Sequence, residues 1–247
     1  MTKSSSLDII DKGDKMNQPE ILAPGVLVYR NVFPEEMNLI NRLEECLSAD
    51  PNAEGVGYSD SPHATYKWKQ ATTGYANNDL KYRDAFDFKI KKNSEDDSNK
   101  SPDQIKLEKI WEDSKNAQIG PVEDYRQKFN VAPLKYWESF NFVKYGPGQH
   151  FQVHSDHGYS YICVLSSVGY INDDYEGGEL FFDKFNLKIK PKAGDLYLFP
   201  SSYLFSHASL PVTSGTKYSI VTMLDYLEAP HTPDYREIEK RYTEGYA

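Results

Sequence analysis

His154, Ser155 and Asp156 place an imidazole and a carboxylate two residues apart. In an extended segment, residues i and i+2 face the same side, so the two side chains converge on one point. Alone, the tripeptide is an ordinary one, since a hydrogen-bonded His/Asp pair on a strand has the same spacing. Further along, His207 stands in the short polar segment SSYLFSHASLP, beside the apolar run GDLYLFP, and can bring a second imidazole to the pair. Two histidines and one carboxylate on one face of a metal, with the other positions open, suit non-haem Fe(II) in an O2-activating site. Ten residues after His207, Lys217 interrupts the otherwise apolar run TKYSIVTML. A cation inside the mouth of a barrel is costly unless an anion meets it, and a bound carboxylate would be that anion. The alternative is a lysine at an exposed strand start, its stem lying on apolar surface and its head in water.

These residues sit in the half of the chain that reads as strands. After about residue 135 come YWESFNFVKY, YSYICVLSSVGYI, GELFFDKFNLKIK, GDLYLFP and KYSIVTMLDY, separated by Gly, Pro, Asn and Asp. Nothing between them is long enough for a βαβ crossover helix, which indicates a sandwich, jelly roll or barrel. Upstream, ILAPGVLVYRNVF predicts a short strand, and Pro34-Glu35-Glu36 opens a helix with Met37, Ile40, Leu43 and Leu47 at helical spacing. Residues 51–78 read as loops and short strands carrying Tyr58, Tyr66, Trp68 and Tyr75. The run KIKKNSEDDSNKSPD at 89–103 reads as a solvated surface loop. A second helical pattern has Ile105, Leu107, Ile110 and Trp111, continuing through Val122, Tyr125 and Phe129 after Pro121. Helices are therefore expected to dominate the first half. The expected organisation is a mobile polar tail (1–18) and one domain (19–247), divided into a helical support region (19–135), a strand-rich core (136–227) and a C-terminal extension (228–247).

Charge narrows the partners. The 247 residues carry 28 Lys+Arg against 37 Asp+Glu, a formal charge of −9, which argues against a nucleic-acid or anionic-membrane binder held by counterion release. No apolar run of signal-peptide or membrane-spanning length occurs, and the two cysteines, Cys46 and Cys163, form no CxxC pair. The expectation is a soluble protein of the reduced cytoplasm.

In order along the chain, NFVKYGPGQHFQVHSDH, YEGGELFF, KAGDLYLFP and SHASLPVTSGTKYS resemble the Fe(II)- and 2-oxoglutarate-dependent dioxygenases, in their prolyl 4-hydroxylase-like branch. The resemblance runs from Asn141 to Tyr226, and the first 135 residues match loosely. It implies a mainly β (α+β) fold, a double-stranded β-helix or jelly roll with N-terminal helices packed on its major sheet. It also implies that His154, Asp156 and His207 ligate iron and that Lys217 holds the distal carboxylate of 2-oxoglutarate. Tyr145 matches the tyrosine lining the cosubstrate pocket, and Tyr170 a second tyrosine that hydrogen-bonds the same carboxylate in some members. For both tyrosines, plain core packing is the competing reading. Gly177-Gly178 and Gly194-Asp195 read as turns, Glu179 as a solvated strand residue. His150, His157 and His231 match no ligand position, and His157, three residues from His154 on a strand, points to the other face.

The chemistry implied is hydroxylation of an amino-acid side chain coupled to decarboxylation of 2-oxoglutarate to succinate and CO2, using Fe(II) and O2, with ascorbate as reductant. A carboxylate at 156 favours hydroxylation over halogenation. The resemblance favours a peptidyl proline, with the aromatics at Tyr66, Trp68 and Tyr75 as a lid or groove for an extended peptide. A free amino acid or other small molecule is the alternative substrate. Nucleic-acid demethylation fits worse, because Lys217 is followed by YSIVTML rather than an arginine cluster. Outside this chemistry stand a non-enzymatic jelly-roll binding module and a cupin-like metal enzyme without an oxo acid.

Overall fold

A strand buried on both faces reads as a continuous apolar or small-residue run rather than as an alternation. The sequence holds three such runs, VLVY, LSSVGY and LYLFP, and they form the centre of the larger sheet. The computed structural model describes residues 18–226 except 51, 62–63, 73–78, 92–98 and 158–162. The expected N-terminal tail up to residue 17, Tyr75, His231 and the C-terminal extension lie outside the described residues.

The strands are β1 (Glu20–Ala23), β2 (Val26–Tyr29), β3 (Lys69–Gln70), β4 (Arg83–Asp84), β5 (Phe86–Ile90), β6 (Tyr136–Trp137), β7 (Phe140–Tyr145) and β8 (His150–His154). They continue with β9 (Leu165–Tyr170), β10 (Glu176–Gly177), β11 (Leu180–Phe182), β12 (Leu187–Ile189), β13 (Leu196–Pro200), β14 (His207–Ser209), β15 (Val212–Ser214) and β16 (Lys217–Asp225). The helices are α1 (Leu39–Glu44) and α2 (Pro102–Lys128). The major sheet runs β1-β2-β13-β9-β16-β7-β5-β3, with β6 also on β16, and the minor sheet runs β12-β11-β14-β8-β4. All of these pairings are antiparallel, and the two facing sheets form the expected jelly roll.

Alternation along each central strand divides the core in two. Val26, Val28, Val168, Tyr197 and Phe199 point inward and meet Leu180 and Phe182 of the minor sheet. Leu27, Tyr29, Leu165, Leu196, Leu198, Phe142 and Ile220 point outward and are covered by Leu107, Ile110, Trp111, Val122 and Tyr125 of α2. Each of those helix side chains contributes roughly 1.5–3 kcal/mol by leaving water. The helix begins where its sequence says it should: Ser101 accepts from the Gln104 N–H and Gln104 returns the bond, a capping box with Pro102 at the first turn. Polar links fix its register, with the Tyr29 hydroxyl donating to Asp124 (2.7 Å), Tyr125 to the Gly25 carbonyl (2.9 Å), and Ser167 to Gln118.

Three expectations for the first half are corrected. Helices do not have it to themselves: five strands also form there, four of which extend the major sheet and one the minor sheet. β1 and β2 pair with each other within the stretch read as a strand, whereas β4 and β5 pair with β8 and β7, distant in sequence, so no local pattern announces those two. The helix at 34–47 is broken into a 3-10 turn (Glu35–Met37) and α1, because Asn38 takes a left-handed conformation (φ 49°, ψ 39°) that asparagine tolerates. The surface loop at 89–103 is not loop at its two ends: Lys89 and Ile90 close β5, with Ile90 fully buried, and Ser101 caps α2, which begins at Pro102. The aromatic lid also fails for its described members. Tyr66 is buried edge-on against Phe88 and donates to the Ser61 carbonyl (2.6 Å), while the Trp68 indole donates to Glu44 (3.0 Å). Both pack with the cluster on the outer side of the major sheet, away from the space between the sheets.

Candidate metal and cosubstrate site

Between the sheets lies a cavity of about 490 Å³ lined by all six residues singled out in the sequence, His154, Asp156, His207, Lys217, Tyr145 and Tyr170. Strand register brings the two histidines together, since β14 lies antiparallel to β8 with His207 directly opposite His154. Asp156 follows two residues after His154, just past the strand end. His154 Nε2 is 3.5 Å from Asp156 Oδ1, His207 Nε2 is 3.8 Å from Asp156 Oδ2, and the three ligand atoms lie within 4.8 Å of one another.

Supporting bonds orient each group. The Nδ1 of His154 sits 2.8 Å from the Gln152 carbonyl and that of His207 3.1 Å from the Phe205 carbonyl. A carbonyl there accepts from Nδ1–H, which leaves both Nε2 lone pairs aimed at the common point. Asp156 accepts from the Ser166 hydroxyl (2.6 Å), which in turn is bonded to Ser201. Phe151 lies stacked on the His154 ring, with centroids 3.6 Å apart and planes at 16°, and the Arg83 guanidinium covers Phe151 at 4.7 Å.

The electrostatics suit a cation. Burial pushes the Asp156 carboxyl up, but the His207 and His154 imidazoles and the Ser166 hydroxyl outweigh it and hold the group well below the usual carboxylate range. Burial lowers His207 to about 4, against the pull of Asp156, so its imidazole is neutral and available as a ligand at pH 7. Two imidazoles and one ionised carboxylate converging on one point fit a divalent metal held on one face.

At the other end, β16 opens with Lys217 directly opposite Tyr145 of β7, and Tyr170 of β9 faces Ser219 one step along. Lys217 is 1% exposed, so the solvent-seeking alternative does not hold for it. Its ammonium donates to the Gly178 carbonyl (3.0 Å) and to the Ser209 hydroxyl, and lies 4.3 Å from the Tyr145 ring centroid and 5.9 Å from that of Tyr170. No carboxylate pairs with it among the described residues. Burial, with a smaller push from Lys190, brings its pKa down to about 7.

Gly178 is part of this construction. With Gly177 it makes the turn the sequence suggests; its φ is +64°, and a Cβ there would lie 3.0 Å from Tyr175 and Val212 and 3.2 Å from Lys217 Cδ. Gly178→Ala is expected to cost about 1–2 kcal/mol for the left-handed backbone alone and to displace Lys217. The expected readouts are a lowered Tm and a raised Kd for a dicarboxylate ligand. An unchanged Tm and Kd would contradict this account of the turn.

The remaining candidates fall elsewhere. His157 has its Nδ1 2.8 Å from the Cys163 carbonyl, and His150 lies 3.2 and 3.0 Å from the Gly148 and Lys81 carbonyls. Neither joins the cluster. Among the cavity residues that escaped the sequence reading are Arg83, Lys89, Glu138 and Asn141. Lys89 was hidden by the charged run that follows it. The signal for Glu138 and Asn141 was present in YWESFNFVKY, where two polar side chains interrupt an aromatic strand.

Residues 140–224 match the 2OG-Fe(II) oxygenase superfamily. A candidate prolyl 4-hydroxylase of Acanthamoeba polyphaga mimivirus is 30% identical over 132 residues, covering 45% of this chain and 54% of that one, so the chain spans about half the length of this relative. Among solved structures, the viral collagen prolyl hydroxylase of Paramecium bursaria Chlorella virus-1, in its 2OG complex, superposes with a TM-score of 0.54 at 16% identity over 81% of this chain and 95% of that one. The Trichoplax adhaerens prolyl hydroxylase bound to a hypoxia inducible factor peptide fragment gives 0.56 at 14% identity over 81% and 83%. At these identities the structures establish the shared jelly-roll fold. The matched core, with its His-Asp-His cluster, is thus similar in sequence to the 2OG-Fe(II) oxygenase superfamily and to a viral relative of the prolyl 4-hydroxylase type.

Proposed function

We propose that the chain is an Fe(II)- and 2-oxoglutarate-dependent dioxygenase that hydroxylates a peptidyl proline and releases succinate and CO2. One observation carries the reading: a three-ligand cluster and a fully buried lysine without a carboxylate partner share one cavity. The cluster accounts for a metal, and the lysine for a ligand with a carboxylate at its far end. A cupin-like site has no use for the lysine, and a binding module none for the cluster.

In this reading His154, Asp156 and His207 hold Fe(II), which when bound activates O2 for oxidation of the oxo acid and the substrate. Lys217 takes the distal carboxylate of 2-oxoglutarate, exchanging its bond to Ser209 for a charge-assisted one. The aromatic walls Tyr145 and Tyr170 hold the cosubstrate chain in one orientation and keep water from the ammonium. Ser166 fixes the plane of the Asp156 carboxylate, and the backbone carbonyls of Gln152 and Phe205 fix the imidazole tautomers. Val143, Val168 and Val221 line the middle of the cavity and exclude solvent. The family match and the prolyl hydroxylase relatives support proline as the target residue. We assign ascorbate as the reductant that keeps the metal in its ferrous state.

The test is turnover of capped proline peptides with Fe(II), 2-oxoglutarate and ascorbate. The expected result is succinate formed in step with a peptide one oxygen heavier. Oxidation of free L-proline with no peptide product would replace the peptidyl reading with the small-molecule one.

A further inference from the structure

The inward-facing residues of β7 and β16 form rungs down the cavity. The first is Tyr145 with Lys217, the next Val143 with Ser219, and the third Asn141 with Val221. The third rung is extended by Lys89 of β5 on one side and Val168 of β9 on the other. At about 3.4 Å per residue, Asn141 stands roughly 14 Å from the Tyr145 rung, towards the metal-ligand end of the cavity, where Ser166 opposite Met223 holds Asp156. Glu138, just before β7, lines the same end, as does Met223.

Polar side-chain groups there lack partners among the described residues. Asn141 Oδ1 is buried and accepts no hydrogen bond. It does not bond Lys89, its directly opposed neighbour, and no carboxylate pairs with Lys89 among the described residues. The Glu138 carboxyl has no hydrogen-bond or ion-pair partner among the described residues, its hydrogen bonds to Met223 and Thr222 being made by the backbone, and burial lifts the carboxyl to about 7 against the opposing pull of Lys89 and Lys91. Buried polar groups normally have partners, and an orphan acceptor beside a lone ammonium at the open end of a ligand cavity calls for a ligand that supplies both an acceptor and a donor.

We propose that Lys89, Asn141 and Glu138 orient the substrate by gripping a main-chain amide of a peptide next to the target residue. The amide carbonyl accepts from the Lys89 ammonium, and the N–H donates to Asn141 Oδ1 and the Glu138 carboxylate. An amide supplies one acceptor and one donor without net charge, which matches a cation beside an acid. An acidic side chain would satisfy Lys89 but bring a second negative charge against Glu138. The inference rests on the peptidyl reading above and names how that peptide is held.

The experiment uses a panel of capped proline pentapeptides with varied flanking residues and, for the best of them, the ester analogue in which oxygen replaces the N–H after proline. The protein is loaded with Fe(II) and 2-oxoglutarate. The ester is expected to lower kcat/KM about tenfold or more in the native protein. Asn141→Ala and Glu138→Gln are expected to shrink that discrimination, and Lys89→Met to raise the peptide KM about tenfold. All three variants should keep the native affinity for 2-oxoglutarate, which also reports that they fold. Equal turnover of peptide and ester by the native protein overturns this inference and leaves the peptidyl reading standing. Turnover of free L-proline alone, or of no proline compound while 2-oxoglutarate still binds with metal, overturns both.

Discussion

Asp156→Ala and His154→Ala each lose tight metal binding and turnover, while the jelly roll remains folded. The effect is expected to exceed about 100-fold in either quantity, since even the outer-shell partners of metal ligands are worth about 10–100-fold. The fold survives because neither side chain belongs to the clusters that hold the sheets together. In the metal-free protein, Asp156→Ala removes a carboxylate whose ionised form two imidazoles and Ser166 stabilise. Its folded pKa is depressed, so its contribution to stability is present above the unfolded value near 4 and is lost as pH falls through the folded one. Native and Asp156→Ala proteins should therefore differ most in Tm at neutral pH and converge in strong acid. Full turnover by either metal-loaded variant would contradict the assignment of the triad.

Lys217→Met is expected to separate stability from function. A lysine with a folded pKa of about 7 against 10.5 in the unfolded chain is a net cost wherever the unfolded chain holds the proton more readily. The sign follows directly: below pH 7 both states are protonated and the full cost is present, and between 7 and 10.5 the native protein gains stability as pH rises. Methionine fills a similar volume without a charge, so at pH 7 the metal-free variant should be more stable by on the order of 2–4 kcal/mol, a higher Tm by several degrees. The same variant should lose 2-oxoglutarate affinity at least about 100-fold, because a buried carboxylate is left without its cation. In the native protein the Kd for 2-oxoglutarate should rise above pH 7, by up to about tenfold per unit, with uptake of a proton on binding. Thermal melts and titration calorimetry across pH 6–9 read both effects. A destabilised variant that binds 2-oxoglutarate normally would contradict this account of Lys217.

The major sheet was legible because its central strands are buried on both faces, which compresses them into runs such as VLVY and LYLFP that little else explains. His154 and Asp156 were legible as a contiguous spacing. His207 was not, in any local sense: it meets His154 only through the β8–β14 register, and the resemblance pointed to it before geometry did. Lys217 stood out as a charge in an apolar strand, but only burial decides between an anion-holding cation and a solvent-seeking one. The first half was read poorly where tertiary pairing overrode local pattern. Lys89 and Ile90 belong to β5 because β7 offers them a partner, although the charged run after them reads as surface. Asn38 splits one helical pattern through a single left-handed residue that amphipathic spacing does not register. Tyr66 and Trp68 are aromatic in a loop-like segment, and nothing local distinguishes a lid from the outer core in which they pack.

The most direct test of the central claim is anaerobic binding of 2-oxoglutarate to the metal-free and the Mn(II)- or Fe(II)-loaded protein, because it requires no knowledge of the substrate. The account predicts binding that tightens strongly with metal and is lost in Lys217→Ala. Metal bound without any affinity for 2-oxoglutarate, or 2-oxoglutarate bound equally well by native protein and Lys217→Ala, would contradict it.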